Sequence, residues 1–363
     1  MNRIAVAIVH GVEIADPGFA RTPARLLRRA FARASGLSPL EADNALVIEP
    51  VYWAPHIEER QRALFARMYA ADAARDPDAA RDPDAARDPA ARDPAAPGDG
   101  GGPSAGERLD EHLQRLVKRA NAGSDASLPA LVAALARRTM PGLASLHYPT
   151  GRWMMLHFAG DIIAYDRRFN EDNYAAAHQE LARALARLAD QAGDEAPLCV
   201  LAHSFGTVLV SDYVYDQQET LRGRKLVLDQ VRAVMGTSPL ARAETLAWLY
   251  TMGSPLALWS LRDPGARLER PIDFPGPAVA ARRNRLNSEW VNFYDRDDVV
   301  AYPMRPLGPA YEERVTMDRA VSVGGASPLY ATPLVHPFYW SDRRVIEPIA
   351  RSLAAGWREL NPA

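Results

Sequence analysis

The chain has 363 residues, 48% hydrophobic and 24% charged, with a formal net charge of -2. That balance provides no basic field for nucleic acid, and no segment approaches the ~20 apolar residues of a membrane-spanning helix. The single cysteine, Cys199, excludes an internal disulfide and suits a reducing, cytoplasmic setting.

Length alone suggests about two domains, but the motifs described below run unbroken from residue 9 to residue 340, so one domain over 1–363 is expected. An apolar run over 3–9 reads as the first strand and ends in His10-Gly11; it is too short for a signal-peptide core. After a turn at Asp16-Pro17-Gly18, Thr22 as N-cap and Pro23 at the first helical position open a helix to residue 34. Residues 45–53 read as the next strand, and 58–71 as a helix with Leu64, Phe65 and Met68 facing inward.

The composition then changes. Ala-Arg-Asp-Pro recurs from Ala74, Ala80, Ala86 and Ala91, and nothing apolar larger than alanine is available to bury, so 72–106 reads as a disordered low-complexity insertion. The repeat is too short and polar for a solenoid. Helices are expected over 107–120 and 129–138. The apolar region 140–158, with Trp153-Met154-Met155, suits core packing and a cap over the site equally well.

A helix over 170–190 precedes the apolar strand that starts at Leu198. Further strands are expected at 246–252, 289–294 and 314–323, a histidine loop at 328–339 and a closing helix at 343–360. The connection 255–289, with Leu256, Leu258, Trp259 and Leu261 near its start, has the length of a lid. Strands alternating with helices predict an α/β fold: a mainly parallel sheet with helices on both faces.

The stretch with most chemistry is Ala202-His203-Ser204-Phe205-Gly206. Serine is a weak nucleophile, and a strand-to-helix turn flanked by small residues lifts its hydroxyl to where a base can reach it. The same residues would also serve as a buried strand ending in a serine N-cap, so partners are needed. On such an elbow they follow in the order Ser, acid, His. Of eight histidines, seven lie at or before the elbow and only His336 follows it, which makes His336 the candidate base. The acid should lie at a strand end, where Asp295, Asp297 and Asp298 compete. Asp298 is preferred because 299–303 is apolar enough to bury its flank, with Asp295 as runner-up and a solvated acidic loop as the plain alternative. An oxyanion hole needs two N–H donors, expected from Phe205 and from Val12 after the His10-Gly11 turn. His10 is read as a structural histidine that hydrogen-bonds that loop, and His203, Gly206 and Gly11 as structural neighbours of the site.

With these residues in order, the chain resembles the α/β-hydrolase superfamily, specifically its serine lipases and esterases. Val9-His10-Gly11, the elbow, Thr251-Met252-Gly253-Ser254-Pro255-Leu256, and His336 with Tyr339-Trp340 are similar to its oxyanion strand, elbow, post-elbow strand and histidine loop. The segments 160–165 and 292–303 resemble, more loosely, the DDHD-domain phospholipases. The resemblance implies a serine hydrolase cleaving carboxylic esters, lipid-like or of medium to long acyl chain, with no metal or organic cofactor. An acyltransferase with the same triad is the first alternative, and a non-catalytic binding module the second.

Overall fold

The computed structural model describes residues 2–11, 17–53, 55, 63–64, 67, 160, 162–262, 271–281, 286–324 and 333–362. Outside them lie Val12, most of the expected helix at 58–71, the insertion at 72–106, the expected helices at 107–120 and 129–138, and the apolar stretch 140–158.

Among the described residues six strands form one sheet, all pairings parallel, in the order β2-β1-β3-β4-β5-β6. The strands are β1 (Ile4–Val9), β2 (Leu46–Val51), β3 (Leu198–His203), β4 (Leu246–Met252), β5 (Glu289–Tyr294) and β6 (Met317–Ala320). Every residue of β1, β3 and β4 is buried. A parallel sheet covered on both faces requires this, because each strand's alternate side chains go to opposite cores. Ala5, Ala7 and Val9 join one core, packed under α3 (Glu171–Ala192) and α4 (Gly206–Leu221). Ile4, Val6 and Ile8 join the other, under α1 (Arg21–Ser35) and a C-terminal helix over Arg343–Leu360. That helix lies tight against β4, since a Cβ on Gly356 would come within 2.3 Å of the Trp248 ring.

The helix starts differ in part from the sequence reading. The N-cap of α1 is Ala20 and makes no side-chain cap bond, so Thr22 and Pro23 sit inside the first turn. Between α1 and β2 lies α2 (Pro39–Ala45), not anticipated from the sequence. Its signal was present: the Ser38 hydroxyl accepts from the Glu41 N–H, the Glu41 carboxylate accepts from the Ser38 N–H at 2.8 Å, and Pro39 opens the helix. The last strand is shorter than 314–323, because it is a half-exposed edge and residues 309–314 form a short helix, α8.

Among the described residues the other α-helices α5 (Asp229–Arg232), α6 (Leu256–Trp259) and α7 (Pro277–Ala281) are short, and the long C-terminal helix above is α9. Within the 255–289 connection, Leu256, Trp259, Ile272 and Phe274 are buried in the α3/α4 core, Leu258 and Leu261 are exposed, and 263–270 and 282–285 lie outside the described residues. Among the described residues no helix is long and apolar enough to cross a membrane.

Candidate active site

The strand order reverses between β1 and β3, which lie side by side while the chain proceeds outward from each. Crevices at the carboxyl ends of strands flanking such a reversal are where open α/β sheets bind ligands. Gly11 follows β1 there and Ser204 follows β3. They touch: a Cβ on Gly11 would lie 2.5 Å from Ser204 Cβ and 3.0 Å from Oγ.

Ser204 has φ +53, a left-handed conformation that costs a non-glycine residue about 1–2 kcal/mol. The surroundings hold it there. Its N–H donates to the Met252 carbonyl at 2.8 Å, and its carbonyl accepts from the Thr207 N–H at 3.0 Å and the Thr207 hydroxyl at 2.7 Å. The Thr207 hydroxyl also bonds Ser254 Oγ at 2.7 Å, tying the elbow to the end of β4. Phe205 caps α4, so its N–H stands at a helix N-terminus, where amides lack intrahelical acceptors and the dipole favours negative charge. Gly206 has no substitute, since a Cβ would meet the His10 carbonyl oxygen at 2.3 Å. Ala202, in contrast, is a core residue of β3, where a methyl group fits.

His336 and Asp298 come together from segments 38 residues apart. His336 Nδ1–H donates to Asp298 Oδ2 at 2.7 Å, which leaves Nε2 as an acceptor. Asp298 also accepts from the Tyr339 hydroxyl on Oδ2 at 3.0 Å and from the Val300 N–H on Oδ1 at 3.1 Å. Burial alone would raise the Asp298 pKa, but the His336 bond and charge, the Val300 N–H and the Tyr339 hydroxyl outweigh it and hold the carboxyl below its ordinary range. The loop beyond it is pinned to the sheet. Asn292 of β5 donates to the Tyr302 carbonyl at 2.9 Å, and Asp318 of β6 accepts from the Met304 and Arg305 N–H groups at 2.8 Å each.

His336 is held beside the elbow by two contacts. The His203 Nε2–H donates to the His336 carbonyl at 2.8 Å, with the two rings 4.7 Å apart. Gly253, at φ +59 past β4, lies under the imidazole: a Cβ there would be 3.0 Å from His336 Cε1 and 2.9 Å from the Tyr339 ring. Burial, with the charge of His336 second, lowers the His203 pKa to about 3, so that ring is neutral. His336 Nε2 and Ser204 Oγ are both buried, and neither has a hydrogen-bond partner among the described residues. The structure brings the Ser204 and His336 loops together through His203, without a bond between Ser204 Oγ and His336 Nε2.

The other residues singled out from the sequence are accounted for as follows. His10 is fully buried and neutral, its pKa lowered by burial to about 3; Nδ1–H donates to the Gly11 carbonyl at 2.5 Å and Nε2 accepts from the Trp53 N–H at 3.2 Å. Asp295 faces away from His336: Oδ1 accepts from the Asp297 N–H and Oδ2 from the Val323 N–H, at 3.0 and 2.7 Å. Val12 lies outside the described residues. The sequence reading quoted Gly253 and Tyr339 but gave them no role, and it did not foresee His203 as the tether of the histidine loop; the glycine after an apolar strand was the one available sign.

Around the elbow Phe205 sits in an aromatic cage, with ring centroids at 6.0 Å to Trp53, 5.1 Å to Tyr165 and 5.2 Å to Trp259. A separate cleft of about 450 Å³ opens where α4 ends, lined by Tyr215, Arg222, Arg224 and Arg314 among others. Its charges are paired with each other: Glu219 accepts from Arg222 and Arg224, and Asp273 pairs with Arg222 and Arg314. It contains no nucleophile and base together and lies a 16-residue helix away from Ser204, about 24 Å. Among the described residues no three of His, Cys, Asp and Glu converge as metal ligands. Comparison with protein-family models, with curated proteins and with solved structures found no match in any of the three.

Proposed function

We propose that the chain is a serine hydrolase of the α/β-hydrolase type that cleaves carboxylic esters through Ser204, His336 and Asp298. One observation carries the proposal. A left-handed serine whose buried hydroxyl is unpartnered among the described residues follows His203, whose ring holds the backbone of a histidine with Nδ1 committed to a buried carboxylate and Nε2 unpartnered. His10, in contrast, spends both nitrogens on structural bonds.

In the reaction, Ser204 Oγ attacks the acyl carbon while His336 Nε2 takes its proton. Asp298 keeps the proton of the other nitrogen in place and stabilises the imidazolium. The carbonyl oxygen becomes an oxyanion at the start of α4, facing the Phe205 N–H. The tetrahedral intermediate collapses, the C–O bond to the alcohol breaks, and Nε2–H gives the leaving oxygen its proton. Water then attacks the acyl-enzyme, with His336 again as base, and releases the acid and Ser204.

The apolar surroundings favour an acyl chain over a small polar acid. Phe205, Trp53, Tyr165 and Trp259 crowd the elbow, and Leu258, Leu261, Val299 and Tyr302 are exposed on the segments that follow β4 and β5. Each buried methylene contributes ~0.8 kcal/mol, nearly fourfold in kcat/KM until the pocket is full. The test is a p-nitrophenyl ester series from acetate to decanoate, run with and without an alcohol acceptor. We expect kcat/KM to rise from acetate to medium chains and the product to be the free acid. Transfer to the acceptor would make the chain an acyltransferase, and acetate as the best ester would overturn the lipid-like reading.

A further inference from the structure

We infer that Tyr339 is a positioning residue for the proposed reaction, whose hydroxyl sets how strongly Asp298 holds the His336 imidazole. Residues Pro333–Trp340 form a 3-10 helix, in which side chains three apart eclipse on one face. His336 and Tyr339 are three apart, and both reach Asp298 Oδ2, at 2.7 and 3.0 Å. One oxygen therefore serves the base and the tyrosine at once. The tyrosine oxygen in turn accepts the Asp295 N–H at 2.7 Å, so its own hydrogen points only toward Asp298. Tyr339 is fully buried. Burial first, then the Asp298 charge, pushes its hydroxyl well above the usual tyrosine range, so it remains a donor at every working pH.

A donor on the shared oxygen spreads the carboxylate charge and weakens its pull on the imidazolium. Without it, Asp298 would be a stronger acceptor for His336, and the base would bind its proton more tightly. The other titratable groups facing this trio are His203 from β3, Asp295 after β5 and, beyond His203, His10 after β1. Both histidines are neutral through the assay range, and the Asp295 carboxylate accepts from Asp297 and Val323.

The inference rests on the ester-hydrolase reading, so its test has one readout with turnover and one without. Tyr339→Phe should lower kcat about tenfold with little change in KM, and move the acid limb of the kcat/KM profile up by roughly one pH unit. Site-specific 3-fluorotyrosine at 339, a stronger donor of nearly the same shape, should move that limb down. In the resting protein, the downfield proton resonance of the His336 Nδ1–H, assigned by its loss in His336→Gln, should shift in opposite directions in the two variants. If Tyr339→Phe fails to fold, the fluorotyrosine protein still decides the matter. A lowered melting temperature with the limb and the resonance unmoved would overturn the inference. A wild-type protein without esterase activity would overturn the hydrolase reading, while the resonance would still report whether Tyr339 acts on the pair.

Discussion

Gly253→Ala is the perturbation that best separates placement of His336, the proposed base, from stability of the fold. At φ +59 an alanine is strained, by about 1–2 kcal/mol. Its methyl group would also stand 2.9 Å from Tyr339 Cε2, 3.0 Å from His336 Cε1 and 3.2 Å from His336 Nδ1. Ordinary carbon contacts lie at about 3.5–4.0 Å, so the rings must retreat by roughly 0.5–1 Å. They cannot do so freely, because Asp298 holds both and His203 holds the His336 carbonyl. A displacement on the order of 1 Å costs a catalytic group about a hundredfold in rate. Gly36→Ala is the control: φ is +79 but nothing lies within 4 Å of the added methyl. Urea denaturation should show Gly36→Ala losing about 1–2 kcal/mol from its φ alone and Gly253→Ala losing that plus about 1–3 kcal/mol for the crowded methyl group. Hydrolysis of p-nitrophenyl butyrate, measured where both are folded, should fall ten- to a hundredfold for Gly253→Ala and stay unchanged for Gly36→Ala. Equal activity in the two variants would refute the placement of His336 by Gly253.

Three further outcomes follow from the same geometry. Asp298→Asn should lower kcat by about four orders of magnitude, because an amide cannot hold the required tautomer, whereas Asp295→Asn, which loses loop bonds to Asp297 and Val323, should show its effect in the melting temperature; the reverse ranking would move the acid to Asp295. Because the folded Asp298 carboxyl titrates below its ordinary value, its contribution to stability is full above about pH 4 and is lost as pH falls through the lowered value; urea curves from pH 6 to 2 should therefore be flatter in Asp298→Asn at the acid end, and an unchanged slope would contradict the bonds drawn to it. Trp259→Ala, which opens the cage around Phe205, should destabilise the fold by about 3 kcal/mol and weaken the preference for longer esters, while a uniform loss on all esters would make Trp259 core only.

Much of the sheet was legible because β1 to β5 are short, predominantly apolar runs, whereas β6 is a half-exposed Met-Asp-Arg-Ala edge. Strands β4 and β5 and helix α9 fall where the pattern put them. The start of α1 was misread because Thr22-Pro23 has the composition of a cap, while the chain had already turned helical at Arg21 after the turn at 17–20. Helix α2 was missed although Ser38-Pro39-Leu40-Glu41 carries its capping box; at seven residues it has too little periodicity to register. At the site, Ser204, Asp298 and His336 could be named from chain order and residue type. What could not be read are the contacts between distant segments: His203 with the His336 backbone across 133 residues, Tyr339 with Asp298 across 41, and the space that Gly253 leaves for two rings. Each depends on which strand ends become neighbours, and no local pattern encodes that.

The most direct test of the central claim is covalent labelling with a fluorophosphonate, followed by mass mapping of the adduct in wild type, Ser204→Ala and His336→Ala. A single adduct on Ser204 in wild type, none in Ser204→Ala and a rate lowered by several orders of magnitude in His336→Ala are expected. No adduct in wild type, or one that persists in Ser204→Ala, would contradict the assignment of Ser204 as nucleophile.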